Sequence, residues 1–108
     1  MTMHELALTY FRIFASKDLD LLRDLFHPDV TLRDWVIDVN GRDQVLAATK
    51  GIFDQFTAIR VTPLNVHVDG NTVIGELEIT LDGEQIRVVD LIEFSSDRKI
   101  RAIRAYKG

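Results

Sequence analysis

Cysteine is absent from the 108 residues, which removes disulfides, thiolate metal sites and cysteine nucleophiles at once. Basic charge is short too: thirteen Lys and Arg stand against seventeen Asp and Glu, a formal net charge of -4, which works against broad binding to nucleic acid or anionic membrane. No run of about 18 apolar residues exists to span a bilayer. The opening Met1-Thr2-Met3-His4-Glu5 lacks the basic-then-apolar order of a signal peptide, so a cytoplasmic address is the expectation. His4, His27 and His67 show neither His-x-His nor His-x-x-x-His spacing, and no metal site is expected. A Gly-rich phosphate loop and a Gly-x-Ser-x-Gly elbow are both missing, so nucleotide cofactors and serine hydrolysis are poor guesses, and no cofactor is expected. Repeats, linkers and low-complexity tracts are absent as well, and residues 1–108 are read as one domain.

What is present is periodicity. Met3, Leu6, Ala7, Tyr10, Phe11 and Phe14 recur at helical spacing, predicting an amphipathic helix from about Met3 to Ser16. Asp18 is placed to cap a short second helix whose buried side is Leu19, Leu22, Leu25 and Phe26, stopped by His27-Pro28-Asp29. A strand from about Val30 to Val36 follows, then an Asn40-Gly41 turn and a third helix marked by Val45, Leu46, Thr49, Ile52, Phe53 and Phe56. Beyond it the period is two. Ile59 and Val61 fall on one parity and Leu64, Val66 and Val68 on the other, so a bulge or bend is expected at Pro63. Turns at Asp69-Gly70-Asn71, Asp82-Gly83 and Ser95–Arg98 separate the remaining strands. Strict alternation in the last puts Ile100, Ala102, Arg104 and Tyr106 on one face and Arg101, Ile103 and Ala105 on the other. Three helices and then a mostly antiparallel sheet make an α+β architecture. The cluster Arg98, Lys99, Arg101 and Arg104 reads as solvated strand-end charge.

One residue breaks this pattern in an informative way. Asp90 interrupts the apolar series Ile86, Val88, Ile92, Phe94, and every second side chain of a strand shares a face. A carboxylate there is either satisfied, by a backbone N–H or an arginine such as Arg104, or it takes up a proton. Asp34 shares a face with Val30 and Leu32 in the same way, although it also reads as a strand-end or capping acid. Two acids among aliphatic residues suggest a polar site inside an apolar pocket. Trp35 reads as a pocket wall, a stacking platform or a dimer contact. Phe14, Phe53, Val88 and Arg104 are the further side chains expected around a substrate.

The order of elements resembles the NTF2-like superfamily of cone-shaped folds, which includes the ketosteroid isomerases and the SnoaL-like polyketide cyclases. The residues that carry the resemblance are Tyr10, Asp18-Leu19-Asp20, Leu25-Phe26, Asp34, Asp90, Phe94, Lys99 and Arg104-Ala105. It implies a curved sheet wrapped on the helices around a pocket. It also implies catalytic roles: Asp34 as the proton-shuttling carboxylate, and Tyr10 and a neutral Asp90 as hydrogen-bond donors to a developing oxyanion. Two positions depart from the isomerase pattern. Thr49 stands where a supporting tyrosine would come from the third helix, and Trp35 replaces a proline after Asp34, which argues against a flat steroid. A homodimer through the sheet is implied by kinship, with Ile74, Val89 and Leu91 as the available outer face.

Two functions of different class are therefore expected to compete. One is a cofactor-independent enzyme of isomerase, cyclase or dehydratase type, moving a proton beside the carbonyl of a small apolar or mixed-polarity molecule. The other is a non-catalytic binding or accessory module on the same fold.

Overall fold

The computed structural model describes residues 1–108. Apolar spacing makes α1 (Met3–Ser16) one-sided, with Ala7, Tyr10 and Phe11 buried. Its start is held by a capping box: the Thr2 hydroxyl accepts from the Glu5 N–H at 3.1 Å and the Glu5 carboxylate accepts from the Thr2 N–H at 3.0 Å. Its end is Lys17, at φ 61°, in the left-handed conformation that terminates helices. Asp18 then caps α2 (Leu19–Leu25) by accepting from the Leu21 N–H at 3.0 Å. The third helix, α3 (Arg42–Gln55), buries Val45, Thr49 and Phe53. The Lys17 amine ties α1 to it by donating to the carbonyls of Phe53 and Phe56.

Six strands form one open, curved sheet: β1 (Phe26–Arg33), β2 (Asp38–Asn40), β3 (Ile59–Asp69), β4 (Thr72–Leu81), β5 (Glu84–Phe94) and β6 (Ile100–Lys107). Their order is β2-β1-β6-β5-β4-β3, and only β1 and β6 run parallel. Leu22, Phe26, Val73, Leu77, Ile92, Phe94, Ile100 and Ile103 are sealed between helices and sheet. Side chains of this size contribute about 1.5–3 kcal/mol each when fully removed from water.

Several details differ from the periodicity reading. Phe26 begins β1 and does not close α2, and His27-Pro28-Asp29 lies inside that strand. The strand accommodates it by a register shift against β6 between Phe26 and Thr31, while the His27 ring accepts from the Asp29 N–H at 3.0 Å. The strand also ends at Arg33, three residues early, because the chain turns back into β2, which pairs Leu32 with Val39 and Arg33 with Asp38. In β3 the register shift comes where the parity change places it, between Pro63 and Asn65, leaving Leu64 as the extra residue. In β6 the shift is at Arg101: Glu93 pairs with Ala102 but Phe94 pairs with Ile100. That added residue turns Ile100 and Ile103 to the same buried side.

The basic residues near the C-terminus are already engaged. Arg98 donates to the Met1 carbonyl, Lys99 to the Asp24 carbonyl at 2.7 Å, and Arg101 and Arg104 both pair with Glu93. No helix is long and apolar enough to cross a membrane.

Candidate functional site

Helices and curled sheet enclose a cavity of about 380 Å³. Most of its lining is apolar, from Phe11 and Phe14 of α1, Ile52 of α3, Leu32 of β1 and inward residues of β3 to β6 such as Val61, Leu77, Val88 and Ile103. Tyr10, Thr49 and Asp90 supply its buried polar groups, and Asp34, Gln55, Glu84 and Lys107 supply polar groups that are half-buried or exposed.

Tyr10 is fixed by aromatic packing. Its ring centroid lies 5.7 Å from Phe11, 6.1 Å from Phe14 and 6.3 Å from Phe26, all tilted. The hydroxyl has no protein hydrogen-bond partner, and burial, followed by the charge of Asp90, pushes the phenol above its ordinary value. It stays a neutral donor at any physiological pH.

Asp90 sits on β5 between Val88 and Ile92, and only 8% of it is exposed. Its neighbours across the sheet are Gly75 on β4, over which the Phe11 ring packs, and Ala105 on β6, so neither neighbour brings a polar side chain to the carboxyl. No arginine or backbone N–H reaches it. Burial first, and the charge of Asp34 second, raise its pKa from 3.8 to about 7. Near neutrality much of the population therefore carries a proton, and a protonated carboxyl can donate a hydrogen bond.

Asp34 occupies the turn after β1. One carboxylate oxygen, Oδ1, accepts from the N–H groups of Val36 at 2.7 Å and Ile37 at 2.5 Å, and its own N–H donates to the Ile37 carbonyl at 2.8 Å. These bonds fix the side chain at the cavity wall while the second oxygen, Oδ2, has no protein donor. Thr49, in the position where a supporting tyrosine was considered, spends its hydroxyl on the Val45 carbonyl at 2.8 Å and does not support Tyr10.

The expected pocket residues divide. Tyr10, Asp34 and Asp90, together with Phe14, Trp35 and Val88, border the one cavity. Phe53 does not: it is buried behind Phe14, edge-on at 5.1 Å. Arg104 does not either, because the extra residue at Arg101 reverses its face and it pairs with Glu93 outside. Lys107 and Ala105 border the cavity and were passed over; Lys107 continues the parity of Ile103 and Ala105, a signal that was available. Phe11 was read only as helix core, yet it forms part of the wall.

The sequence profile of the SnoaL-like domain matches residues 7–103. The chain belongs to the SnoaL-like family. Solved structures similar to this SnoaL-like protein include one from Agrobacterium tumefaciens, provisionally assigned as an isomerase of the SnoaL-like family. It aligns at TM-score 0.85 and 15% identity, over 100% of this chain and 99% of that one. A provisionally assigned SnoaL-like polyketide cyclase from Jannaschia aligns at TM-score 0.83 and 21% identity, over 95% of this chain and 83% of that one. An NTF2-like protein of unknown function from Cytophaga hutchinsonii aligns at TM-score 0.84 and 13% identity, over 100% and 91%. No curated protein sequence matches. At these identities the structural likeness shows the fold alone, an NTF2-like fold.

Proposed function

We propose that this SnoaL-like protein is a cofactor-independent acid–base enzyme that moves a proton on a carbon next to the carbonyl of a small, largely apolar molecule. The observation that carries the reading is that the Tyr10 hydroxyl and the buried Asp90 carboxyl, both without a protein partner, border one apolar cavity with Asp34, and burial favours the protonated, donating form of Asp90. In this reading the substrate oxygen takes the place of the missing partner for both donors. As the carbon loses its proton, negative charge gathers on that oxygen, and two donors in a dry cavity stabilise it far more than water would. Asp34 Oδ2 removes the proton and returns it at a second carbon, an isomerisation, or the enolate carbon attacks a second carbonyl of the same molecule, whose π electrons pass to its oxygen, and the Asp34 carboxyl gives the proton to that new alkoxide, a cyclisation. Apolar walls orient the carbon skeleton and exclude water.

A second reading is favoured by one observation, the two backbone N–H groups that Asp34 accepts: the acid serves only to cap its turn, and the cavity belongs to a binding module. Asp34→Asn separates the two, because an asparagine oxygen accepts the same N–H groups while the amide is no base. Ketones and 1,3-dicarbonyl compounds are screened for binding, and deuterium exchange beside the carbonyl is followed by NMR in D₂O. The enzyme reading expects exchange by the unaltered chain and its loss in Asp34→Asn with binding retained. Absence of exchange for every compound bound favours the second reading, and exchange that persists in the variant overturns the role of Asp34 by assigning the base to another residue. The sheet's outer face, with Ile74 and Leu91 half-buried and Val89 exposed, supports a homodimer, and light scattering of the purified chain tests it.

A further inference from the structure

We propose that a cleft beside the cavity mouth binds a carboxylate carried by the ligand, so that the substrate class is an apolar carbonyl compound with an acid group at its outer end. The proposal rests on reading the cavity as a substrate pocket with its oxygen-binding end at Tyr10 and Asp90. A second depression, of about 270 Å³, is lined by Arg33, Asp34, Trp35, Ala105, Tyr106 and Lys107. Four of these, Asp34, Trp35, Ala105 and Lys107, also border the main cavity, so one ligand can occupy both spaces without crossing a wall.

The charges of this cleft are unspent. Neither Arg33 nor Lys107 forms an ion pair or a side-chain hydrogen bond, a state shared only with Arg42 and Arg60, whereas Arg23, Lys50, Arg87, Arg101 and Arg104 are ion-paired and Arg12, Lys17, Arg98 and Lys99 are hydrogen-bonded. Lys107 is the one basic side chain on the cavity lining, and it is held in position. Its strand is pinned by register against Val88 and by the Gly108 N–H donating to the Arg87 carbonyl at 2.8 Å, and its amine lies 5.9 Å from the Trp35 ring centroid. The acids facing this region are Asp34, already accepting two N–H groups, Asp38, opposite Arg33 in the β1–β2 register, and Glu84. Glu84 lies four residues along β5 from Val88, about 14 Å away along the strand, toward the other side of the mouth. Among the residues that line the cleft two cations stand against one carboxylate, and with Asp38 beside Arg33 the surplus of positive charge is small, which suits a carboxylate better than a dianionic phosphate.

The register also sets a spacing. Ala105 is opposite Asp90 and Lys107 is two residues further along, so the oxygen-binding and acid-binding ends are about 7 Å apart along the strand before side-chain reach is added. A ligand of two fused rings, or a chain of similar length, spans that gap.

The test uses two fluorescent probes that differ only in the acid group, 2-naphthol and 6-hydroxy-2-naphthoate, each titrated against the full chain. The carboxylate probe is expected to bind about tenfold more tightly, the worth of one charge-assisted hydrogen bond. Lys107→Gln and Arg33→Gln are expected to remove that advantage without changing affinity for 2-naphthol, and Lys107→Arg to restore most of it. Both positions are exposed, so folding is checked by circular dichroism and expected unchanged. Equal affinity for the two probes, a loss shared equally by both in Lys107→Gln, or no binding of the carboxylate probe overturns the proposal. Stronger competition by inorganic phosphate than by acetate overturns it in favour of a phosphate site. These readouts involve no turnover, so loss of the acid–base reading through Asp34→Asn would leave them standing, and the reverse holds as well.

Discussion

Replacing Asp90 by asparagine is expected to make the protein more stable above neutral pH, not less. In the unfolded chain the carboxyl ionises near 3.8; in the folded chain burial, with the charge of Asp34 second, holds the proton on until about pH 7. Between those values the folded state binds the extra proton, so the stability this group contributes, complete below about pH 4, drains away as pH rises through 7. The difference in pKa corresponds to about 4 kcal/mol at most, a large part of the stability of a domain this size. Asparagine has nearly the same shape and carries no charge, and Asp90 has no hydrogen bond to lose. Urea denaturation of both chains at pH 4, 6 and 8 is the assay. Near-equal midpoints at pH 4 and a gap of several kcal/mol favouring Asp90→Asn at pH 8 are expected. Glu93, held below the usual carboxylate range by Arg104, and the lowered Asp82, Glu5 and Asp97 pull the other way, but they are common to both chains and cancel. Parallel pH profiles for the two chains would refute the reasoning, as would a carboxyl carbon of Asp90 titrating near pH 4 by NMR.

Two further substitutions probe the walls of the site. Tyr10→Phe removes a hydroxyl with no protein partner, so stability should stay within about 0.5 kcal/mol of the unaltered chain or rise, while any turnover found should fall about a hundredfold or more. A Cβ added at Gly75 would come 3.1 Å from the Phe11 ring, so Gly75→Ala should cost about 1–3 kcal/mol in a denaturant titration and should shift the Phe11 ring resonances beside Asp90.

The helices and the four C-terminal strands were legible because their apolar spacing matched the period of each element. The structure starts α1 at Met3 and ends it at Ser16, as the stripe and its flanks imply. The misread segments are those where local chemistry overrode the period. β2 is three residues long and carries too little pattern to register, and the turn before it is made by a side chain, Asp34, whose acceptor role reads equally well as a capping acid. His27-Pro28-Asp29 looks like a helix stop, yet a strand carries it by giving up regular pairing for those residues. The acids were found because they offend an apolar face. Lys107 offends no apolar face, and only its shared parity with Ile103 and Ala105 marks it in the sequence.

The bulge at Arg101 decides more of the site than any single side chain in it. Without the extra residue, strict alternation from Ile100 would send Arg104 inward, to the ladder position beside Asp90. A buried guanidinium there would draw the carboxyl into an ion pair and lower its pKa, leaving an acceptor where a donor is needed. With the extra residue, Arg104 goes to Glu93 on the outside, Ala105 takes the place beside Asp90, and Lys107 comes to the mouth. One inserted position therefore keeps the deep acid unpaired, sets an apolar neighbour next to it and brings a cation to the rim. The neutral donor at Asp90 is thus a consequence of strand register as much as of the aspartate itself.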